Sequence, residues 1–385
     1  MRTNIPGSAL ENPDISLAND IIRNCVHCGF CLSHCPTYQV RRDENDSPRG
    51  RIILIRDMYE KGGVPDEKTV EHLDRCLTCL ACEAMCPSGV TYSKLIGHAR
   101  EHVEANFRRS LFQRVIRRSL TVLIPSPTLF RMGLLAGKLA RPLKGLFSGP
   151  LRAMLDMTPK GGLPKPSPVD RAQVFPASGP RRARVGILIG CVQTVLAPQI
   201  NAATIRLLQR HGVEVVVSAG AGCCGAPAEH MGREDLALPM VKAKIHDWLT
   251  TANEPGGLDA IIVNTSGCGT SLKAYGHALR LDPVWREKAA RVSALSKDIT
   301  EFMTQIGLRR PENHCNLRVV YHSACSMQHG QKITREPKAL LAQAGFVVKD
   351  VPEGHLCCGS AGTYNILQPA IAKRLAASKA ANIAR

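Results

Sequence analysis

Two short cysteine runs constrain this chain more than any other feature of its 385 residues. Each run has the spacing Cys-x2-Cys-x2-Cys-x3-Cys-Pro, and the runs begin at Cys25 and Cys76. The two-residue gaps allow three thiolates to meet at three corners of one inorganic cube. The longer gap and the proline turn the fourth cysteine of each run toward the other cube. The runs therefore predict two [4Fe–4S] clusters, as in bacterial ferredoxins, that exchange one ligand each.

The two predicted clusters, here called cluster A and cluster B, are defined by their expected ligands. Cluster A takes three cysteines of the first run and the last of the second: Cys25, Cys28, Cys31 and Cys86. Cluster B takes the complementary set: Cys76, Cys79, Cys82 and Cys35. Iron in such clusters prefers soft sulfur donors. The alternative is a structural zinc module, in which four ligands usually come as two separated pairs.

The first residues and the cysteine content together indicate a compartment. Glu11, Asp14 and Asp20 interrupt residues 1–25, so no secretory signal is predicted. The longest uncharged run of the basic central stretch, between Arg118 and Arg131, has 12 residues, and a membrane-spanning helix needs roughly 20 apolar ones, so no such helix is predicted. Cysteines of a protein that is not exported stay reduced. We therefore expect a cytoplasmic protein whose 16 cysteines serve as metal ligands or redox groups.

Residues 105–155 form a strongly basic segment within a chain of net charge +18. The segment has no acidic residue, and leucines and phenylalanines lie between its basic residues. One interpretation is a peripheral element on the cytoplasmic face of the inner membrane, where basic residues meet anionic lipid and apolar ones enter the interface. The other is a solvated basic face whose apolar side packs on the protein or a partner. Nucleic acid is not an expected partner, because no recognition fold accompanies the segment.

An internal repeat organises the chain after a Pro/Gly-rich linker at 158–182. In the first copy, a strand at 185–191 leads to Cys191, and a strand at 213–217 leads to Cys223-Cys224-Gly225. In the second copy, strands at 317–321 and 346–351 lead to Cys325 and to Cys357-Cys358-Gly359. The same 134 residues separate 191 from 325, 223 from 357 and 224 from 358. Predicted helices between the strands imply a parallel sheet in each copy.

The repeated cysteines resemble the CCG (cysteine-rich) domain family. The family pattern is a cysteine, about thirty residues, Cys-Cys-Gly, and a later Cys-x-x-Cys. The resemblance implies an additional iron–sulfur cluster or a zinc ion, with candidate ligands in the first copy at Cys191, Cys223, Cys224 and Cys268. Candidate ligands in the second copy are Cys325, Cys357 and Cys358, with His322 or His329 as a further one. The alternative for either copy is a buried, metal-free cysteine pair.

Both copies depart from the family pattern. Ser271 stands where the first copy would have its closing cysteine. The second copy has no closing cysteine before residue 385, so we expect it to be C-terminally incomplete. Cys315 matches no motif and is expected to pack as a small apolar residue.

The predicted fold class is a multidomain α+β protein. An α-helical module of bacterial ferredoxin type with two [4Fe–4S] clusters precedes two α/β CCG domains with parallel sheets. In that module we expect one helix from Ser47-Pro48 to Gly62-Gly63 and another over 93–106. The expected boundaries are 1–105 for the ferredoxin module, 106–183 for the basic segment and linker, 184–312 for the first CCG domain and 313–385 for the second.

The order of these parts resembles the iron–sulfur subunits of glycolate oxidases (glycolate dehydrogenases). The matching stretches are 24–31, 47–52, 72–79, 266–269 and 358–364. The resemblance implies an electron-transfer subunit without catalytic residues of its own. It also implies flavoprotein partner subunits that carry the FAD and oxidise glycolate to glyoxylate, with quinone at the membrane as acceptor. Related subunits serve lactate, glycerol-3-phosphate and heterodisulfide chemistry, so a CCG oxidoreductase of one of those types is the alternative.

Overall fold

A computed structural model describes residues 1–220, 222–311 and 316–385, so Cys315 lies outside the described residues. The N-terminal module is helical, as the sequence predicts. Its helices are α1 (Gly7–Leu10), α2 (Pro13–Arg23), α3 (Phe30–Ser33), α4 (Pro36–Arg41), α5 (Pro48–Glu60), α6 (Glu67–Asp74), α7 (Ala81–Ala84) and α8 (Tyr92–Asn106). The expected helices at 48–61 and 93–106 correspond to α5 and α8.

Side-chain caps start three helices of this module, α2, α5 and α6. Asn12 accepts from two backbone N–H groups of α2, Ser47 from Gly50 of α5, and Asp66 from Thr69 of α6. Such caps satisfy N–H groups that have no partner within the helix. Apolar residues of α2, α5, α6 and α8 then bury one continuous core, whose largest members include Ile22, Ile55 and Leu95. The cysteine runs lie in the short connections around this core.

Gly50 in the first turn of α5 lets two chain segments pass at close range. A Cβ at this position would lie 2.0 Å from the Glu44 carbonyl oxygen, so only glycine fits. Glu44 belongs to a 3-10 turn, Glu44–Asp46, that directly precedes α5. This approach fixes the direction in which Arg49 and Arg51, on either side of Gly50, leave the helix.

The basic segment forms α9 (Leu111–Leu123), α10 (Pro127–Ala140), a 3-10 helix (Arg141–Leu146) and α11 (Gly149–Met157). Ile116 and Leu120 of α9 pack on Met231, and Arg109 and Arg117 form ion pairs with Asp74 of the N-terminal module. Every residue of α10 is at least partly exposed. Leu151 and Met154 of α11 pack on the same cluster as α9, so the segment is anchored at both ends and α10 between them is its exposed part.

The first CCG copy contains a five-stranded sheet with the order β1-β3-β2-β4-β5. Its strands are β1 (Gln173–Phe175), β2 (Ala183–Leu188), β3 (Val213–Val217), β4 (Ala260–Val263) and β5 (Ser296–Asp298). β2 to β5 are parallel, as expected, but β1 pairs antiparallel with β3. The predicted linker at 158–182 therefore contributes an edge strand.

Helices cover this sheet and complete its core. They are α12 (Gln193–Leu196), α13 (Gln199–Arg210), α14 (Ala226–Glu229), α15 (Glu234–Asn253), α16 (Ser266–Ala278), α17 (Arg286–Leu295) and α18 (Ile299–Ile306). Trp248 of α15 fills the space that Gly186 leaves on β2, where a Cβ would lie 2.4 Å from the indole ring. β2, β3 and β4 are buried on both faces, which is usual for parallel sheets.

The second copy pairs β6 (Arg318–Tyr321) with β7 (Val347–Asp350) in parallel. A π-helical turn, Ser326–Gly330, follows β6, and the helices are α19 (Glu336–Gln343), α20 (Tyr364–Leu367) and α21 (Pro369–Ala384). This copy packs on the N-terminal module, where the Tyr364 hydroxyl donates to the Arg75 carbonyl oxygen at 2.9 Å. In the part of the chain described, no helix combines the length and apolar character needed to cross a bilayer.

The close approach at Gly50 predicts the effect of a single methyl group. Gly50→Ala should lower the free energy of unfolding by about 1–3 kcal/mol, because the new Cβ must push the Glu44 backbone aside. Gly97→Ala in α8 is the matched control, since nothing lies within 4 Å of its Cβ position. That control should be neutral or stabilise by up to about 1 kcal/mol. Anaerobic thermal unfolding of both variants compares them; equal midpoints would contradict the packing described here.

Candidate metal centres

The first of two cysteine-lined pockets, here called pocket A, collects residues from both cysteine runs. Its thiols are those of Cys25, Cys28, Cys31 and Cys86, with Cys82 at its inner side. Cys28 is exposed, Cys25 is buried, and Cys31 and Cys86 are half-buried. Gly29 adopts a positive φ of 85°, which turns the chain sharply between the second and third cysteine. Four thiols that surround one pocket suit an iron–sulfur cluster, which takes thiolate ligands.

The second pocket, here called pocket B, lies deeper and is lined by the complementary set. Its thiols are those of Cys35, Cys76, Cys79 and Cys82. Cys35, Cys76 and Cys82 are buried, and Cys79 is half-buried. The two pockets share Pro48, Cys82 and Tyr92 in their lining, so they are neighbours. The structure thus brings Cys86 to pocket A and Cys35 to pocket B, each together with three cysteines of the other run.

The thiols of the two pockets have different electrostatic surroundings. Burial and the neighbouring thiols of Cys25 and Cys35 raise the pKa of Cys31 to about 11. Burial also raises the pKa values of Cys79 and Cys82 well above the ordinary value. At Cys76, burial acts in the same direction, but the Arg51 and Arg100 guanidiniums outweigh it and lower the pKa. Positive charge is therefore concentrated at one side of pocket B.

The first CCG copy brings its four cysteines to one edge of the sheet. Cys191 follows β2, Cys223 and Cys224 follow β3, and Cys268 lies in the first turn of α16 after β4. The carboxyl ends of neighbouring parallel strands meet at the same edge, where α/β proteins place their sites. The Cys223 thiol interacts with Cys191 and Cys224, and Cys224 interacts with Cys268.

One of these thiols, that of Cys223, has a strongly lowered pKa. Its neighbours Cys191 and Cys224 lower the pKa of Cys223 to about 3, with help from the Gly225 backbone N–H and Lys244. The Gly225 N–H donates to the Cys223 sulfur at 3.4 Å, and the Tyr275 hydroxyl donates to the Cys224 carbonyl oxygen at 2.7 Å. Thiolates are the form of cysteine that binds metals. The arrangement is therefore compatible with the metal centre expected from the sequence.

Ser271, at the position of the closing cysteine, faces a carboxyl group. Its hydroxyl donates to the Glu229 carboxylate at 3.1 Å. Burial raises the pKa of Glu229 to about 7. This serine therefore serves a buried hydrogen bond to Glu229.

Gly220, Gly222 and Gly225 also have the Gly-x-Gly-x-x-Gly spacing of a dinucleotide site, directly after β3. The Gly220 backbone N–H, however, donates to the Asp247 carboxylate at 3.0 Å. A pyrophosphate would meet that negative charge, and the next helix, α14, is a single turn (Ala226–Glu229). The glycines therefore serve the turn around the cysteines, which sequence spacing alone does not reveal.

The second CCG copy brings its three cysteines together in the same way. Cys357 interacts with Cys325 and Cys358, and the first interaction is the main reason why its pKa rises to about 12. His322 lies near Cys358, and its buried Nε2 has no hydrogen-bond partner among the described residues. The His329 Nε2 instead lies 3.0 Å from the His355 carbonyl oxygen. Of the two histidines expected as a further ligand, His322 is the one beside the thiols.

The thiol sets follow one another through the molecule. Cys357 lies close enough to Cys79 of pocket B to contribute to its raised pKa, after burial. Both cysteines pack in one apolar cluster with Leu77. The two CCG copies meet beside their cysteines, where the Ser326 hydroxyl donates to the Ser266 hydroxyl at 2.8 Å. The second copy thus contacts both pocket B and the first copy.

The sequence patterns did not predict a buried charge network that lies beside pocket B. Asp46 is fully buried and forms ion pairs with Arg41, Arg51 and Arg75, and its Oδ1 lies 2.9 Å from His72 Nδ1. The Asp46 carboxylate is already paired with these cations. Charge compensation therefore explains why Asp43, Asp46 and His72 lie close together. The only sequence signal was the Ser-Pro-Arg-Gly-Arg stretch at 47–51, which contributes the cap and two of the arginines around the pockets.

Comparison with protein families identifies the same parts. A model described as a 4Fe-4S dicluster domain matches residues 21–90. A model described as a cysteine-rich domain, CCG, matches residues 185–273 and again 319–385. These matches and the thiol geometry together support the binding of iron–sulfur clusters. No solved structure matches the chain.

Several curated proteins are similar over nearly the whole chain. The glycolate oxidase iron-sulfur subunit of Escherichia coli (strain K12) is 38% identical over 98% of this chain and 89% of its own length. A probable glycolate oxidase iron-sulfur subunit of Bacillus subtilis (strain 168) is 34% identical over 94% and 83%. A fumarate reductase (CoM/CoB) subunit of Methanothermobacter marburgensis is 28% identical over 93% and 63%.

The lining of the two pockets predicts which cysteines act together. Cys86→Ser should abolish the same reduced-cluster EPR signal as Cys28→Ser, although Cys86 lies in the other run. Cys35→Ser should abolish the other signal, together with Cys79→Ser. Iron analysis should show a loss of about four atoms per variant, one cubane each.

Cys191→Ser is the control in the first CCG copy and should leave both of these signals in place. If Cys86→Ser and Cys79→Ser instead abolished the same signal, each run would hold its own cluster, and the crossed arrangement would be wrong.

Proposed function

Because this chain belongs to the family of glycolate oxidase iron–sulfur subunits, we propose that it is the electron-transfer subunit of a flavin-dependent glycolate dehydrogenase. Oxidation of a 2-hydroxy acid by hydride removal requires a flavin or a nicotinamide. We place the FAD and the conversion of glycolate to glyoxylate on a flavoprotein partner. When bound, the iron–sulfur clusters of this chain supply one-electron transfer from that partner to an acceptor such as quinone.

The succession of thiol sets is the observation that carries this proposal. Pocket A reaches the surface at Cys28, and pocket B lies beneath it and shares Cys82 in its lining. Cys79 of pocket B then neighbours Cys357 of the second CCG copy. A subunit that only bound a substrate would not need redox ligands distributed in this way through its interior.

In this proposal, residues of this chain hold the clusters and keep water away from them. Cys25, Cys28, Cys31 and Cys86 hold cluster A, and Cys76, Cys79, Cys82 and Cys35 hold cluster B. The buried Leu77 and Tyr92 keep water from pocket B, while the exposed Val26 and Phe30 frame pocket A at the surface. Burial and solvent exposure are among the properties that tune such clusters.

We assign a further iron–sulfur cluster, in preference to zinc, to the first CCG copy, with Cys191, Cys223, Cys224 and Cys268 as ligands. Four thiolates on one zinc ion lie only about 3.8 Å apart, given tetrahedral geometry and Zn–S bonds near 2.3 Å. Among the described residues, no three of these sulfurs lie within 4.8 Å of one another. That spread suits several iron atoms. Anaerobic metal analysis should accordingly find more than about eight irons per chain, the content of two cubanes.

We also propose that the exposed part of the basic segment, α10 and the 3-10 helix after it, rests on an anionic lipid surface. Leu139 and Leu146 are 83% and 81% exposed, and Met132 is 60% exposed. Arg131, Lys138 and Arg141 lie on the same stretch, which has no acidic residue. Apolar side chains flanked by basic ones are typical of interfacial helices, and each cation near such a surface contributes about 1 kcal/mol. This contact would bring the chain to a membrane acceptor.

The roles proposed for the flavoprotein partner and for this chain predict the result of a reconstitution experiment. Glycolate should reduce the FAD of the flavoprotein partner alone, but a quinone analogue should be reduced only after this chain is added. The chain with Cys28→Ser should restore much less of that activity, whereas Val64→Ser, an exposed site on another surface, should restore it fully. Glycolate oxidation by this chain alone would contradict the proposal. Disulfide reduction without any flavoprotein would instead favour a CCG oxidoreductase of the heterodisulfide reductase type.

The lipid-surface proposal predicts salt-sensitive binding to vesicles. The chain should co-sediment with phosphatidylglycerol vesicles but much less with phosphatidylcholine vesicles, and added salt should weaken binding because it screens the charges. Leu139→Glu should reduce the bound fraction several-fold, because it places a carboxylate in the interface. Val64→Glu is the control, since Val64 is similarly exposed, at 74%, but lies in the N-terminal module. Equal loss in both variants would reject this surface.

A further inference from the structure

We propose that Arg51 and Arg100 hold the reduction potential of cluster B above that of cluster A. The inference rests on the proposed function only in that both pockets contain clusters. It assigns a role to the Ser-Pro-Arg-Gly-Arg stretch, which the ligand sets leave unexplained. Both arginines act on the cluster through its ligands and neither is a ligand itself.

Arg51 places a desolvated guanidinium against two ligands of cluster B. Its side chain is 1% exposed. Its NH1 group lies 4.0 Å from the Cys35 sulfur and donates to the Thr37 hydroxyl at 3.1 Å, and that hydroxyl lies 3.1 Å from the same sulfur. Its Nε donates to the His72 carbonyl oxygen at 2.7 Å, which fixes the plane of the group. Arg51 is also the main source of positive charge at Cys76.

The nearby carboxylate is shared with other arginines. Asp46 accepts from Arg51 at 3.4 Å, but it also pairs with Arg41 at 2.7 Å and with Arg75 at 3.4 Å. Two further carboxyl groups belong to this network: Asp43 lies within 4.8 Å of Asp46 and His72, and Glu71 pairs with Arg75. Arg51 is the guanidinium that lines pocket B, where its NH1 group is 4.0 Å from the Cys35 sulfur.

Arg100 supplies a second positive charge near Cys76. This half-buried residue of α8 donates from NH2 to the carbonyl oxygens of Cys76 and Leu73, at 2.5 and 3.2 Å. Its NH1 group donates to the Thr78 hydroxyl at 2.6 Å. Arg100 also lowers the pKa of Cys76, by less than Arg51 does. Two cations therefore act on the loop that carries Cys76.

Pocket A has a weaker counterpart. Arg49 approaches it and donates to the His27 carbonyl oxygen at 3.4 Å, but its guanidinium is 31% exposed and paired with Glu44 at 2.5 Å. The pair is close to neutral, and water screens the remainder. The exposed Cys28 admits further screening. The two arginines of one sequence stretch thus act in different dielectric surroundings.

The difference in charge translates into a difference in potential. Reduction adds one electron to a cluster, so a nearby fixed cation stabilises the reduced form more than the oxidised form. The effect is larger where water is excluded, because charges interact more strongly at low dielectric constant. Cluster B therefore accepts an electron more readily than cluster A. The gradient directs reducing equivalents from the exposed pocket toward the interior.

EPR-monitored redox titration of the anaerobically purified full-length chain tests this proposal. The signal that Cys35→Ser abolishes should titrate at the higher potential. In Arg51→Gln, the reduced-to-oxidised ratio of that signal at a fixed potential should fall at least about tenfold, or about 59 mV for a one-electron couple. Arg51→Lys, which keeps the charge, should shift it less. Arg49→Gln is the matched control and should leave that signal in place.

Each result decides the question. An unchanged potential in iron-replete Arg51→Gln, or an equal shift in Arg51→Lys and Arg51→Gln, would overturn the proposal. If Arg51→Gln does not assemble its cluster, Arg100→Gln should lower the same potential, and an unchanged value there would overturn it instead. Because electrodes and mediators supply the electrons, no flavoprotein or glycolate is needed. A failed glycolate assay and a failed titration are therefore distinguishable.

Discussion

The exchange of one cysteine between the two runs is the constraint on which the N-terminal module depends. Cys35 lines pocket B and Cys86 lines pocket A, and Pro48 at the start of α5 lines both pockets. In the same turn, Gly50 passes close to the Glu44 carbonyl oxygen. Arg49 of this turn lines pocket A and Arg51 lines pocket B. One turn therefore places lining residues and charged groups at both pockets.

Local spacing was sufficient to predict much of this architecture. The offsets between cysteines indicated which thiols share a pocket, and hydrophobic patterning placed β3 at 213–217 as observed. The dicluster and cysteine-rich families were also expected from the motifs, and both are confirmed. Each of these features is set by residues close in sequence, or by a repeat that can be counted. The domain boundaries themselves stay predictions.

Features that depend on distant residues could not be predicted in this way. Nothing in the composition of the linker indicates that Gln173–Phe175 pairs with β3, because an edge strand of three residues takes its register from its neighbour. Likewise, an arginine in a helix is ordinarily solvated. Arg51 is buried because Asp46, His72 and the Cys35 sulfur surround it from other parts of the chain.

The duplicated CCG copies share a cysteine pattern but differ in what surrounds it. In the first copy, Lys244 and the Tyr275 hydroxyl lie beside the thiols, and Ser271 is engaged by Glu229. In the second copy, the thiols pack against pocket B, and His322 lies beside them. Because charge and burial govern how a thiolate set behaves, two sites of common origin acquire different properties. The thiols of the second copy are therefore the ones that adjoin pocket B.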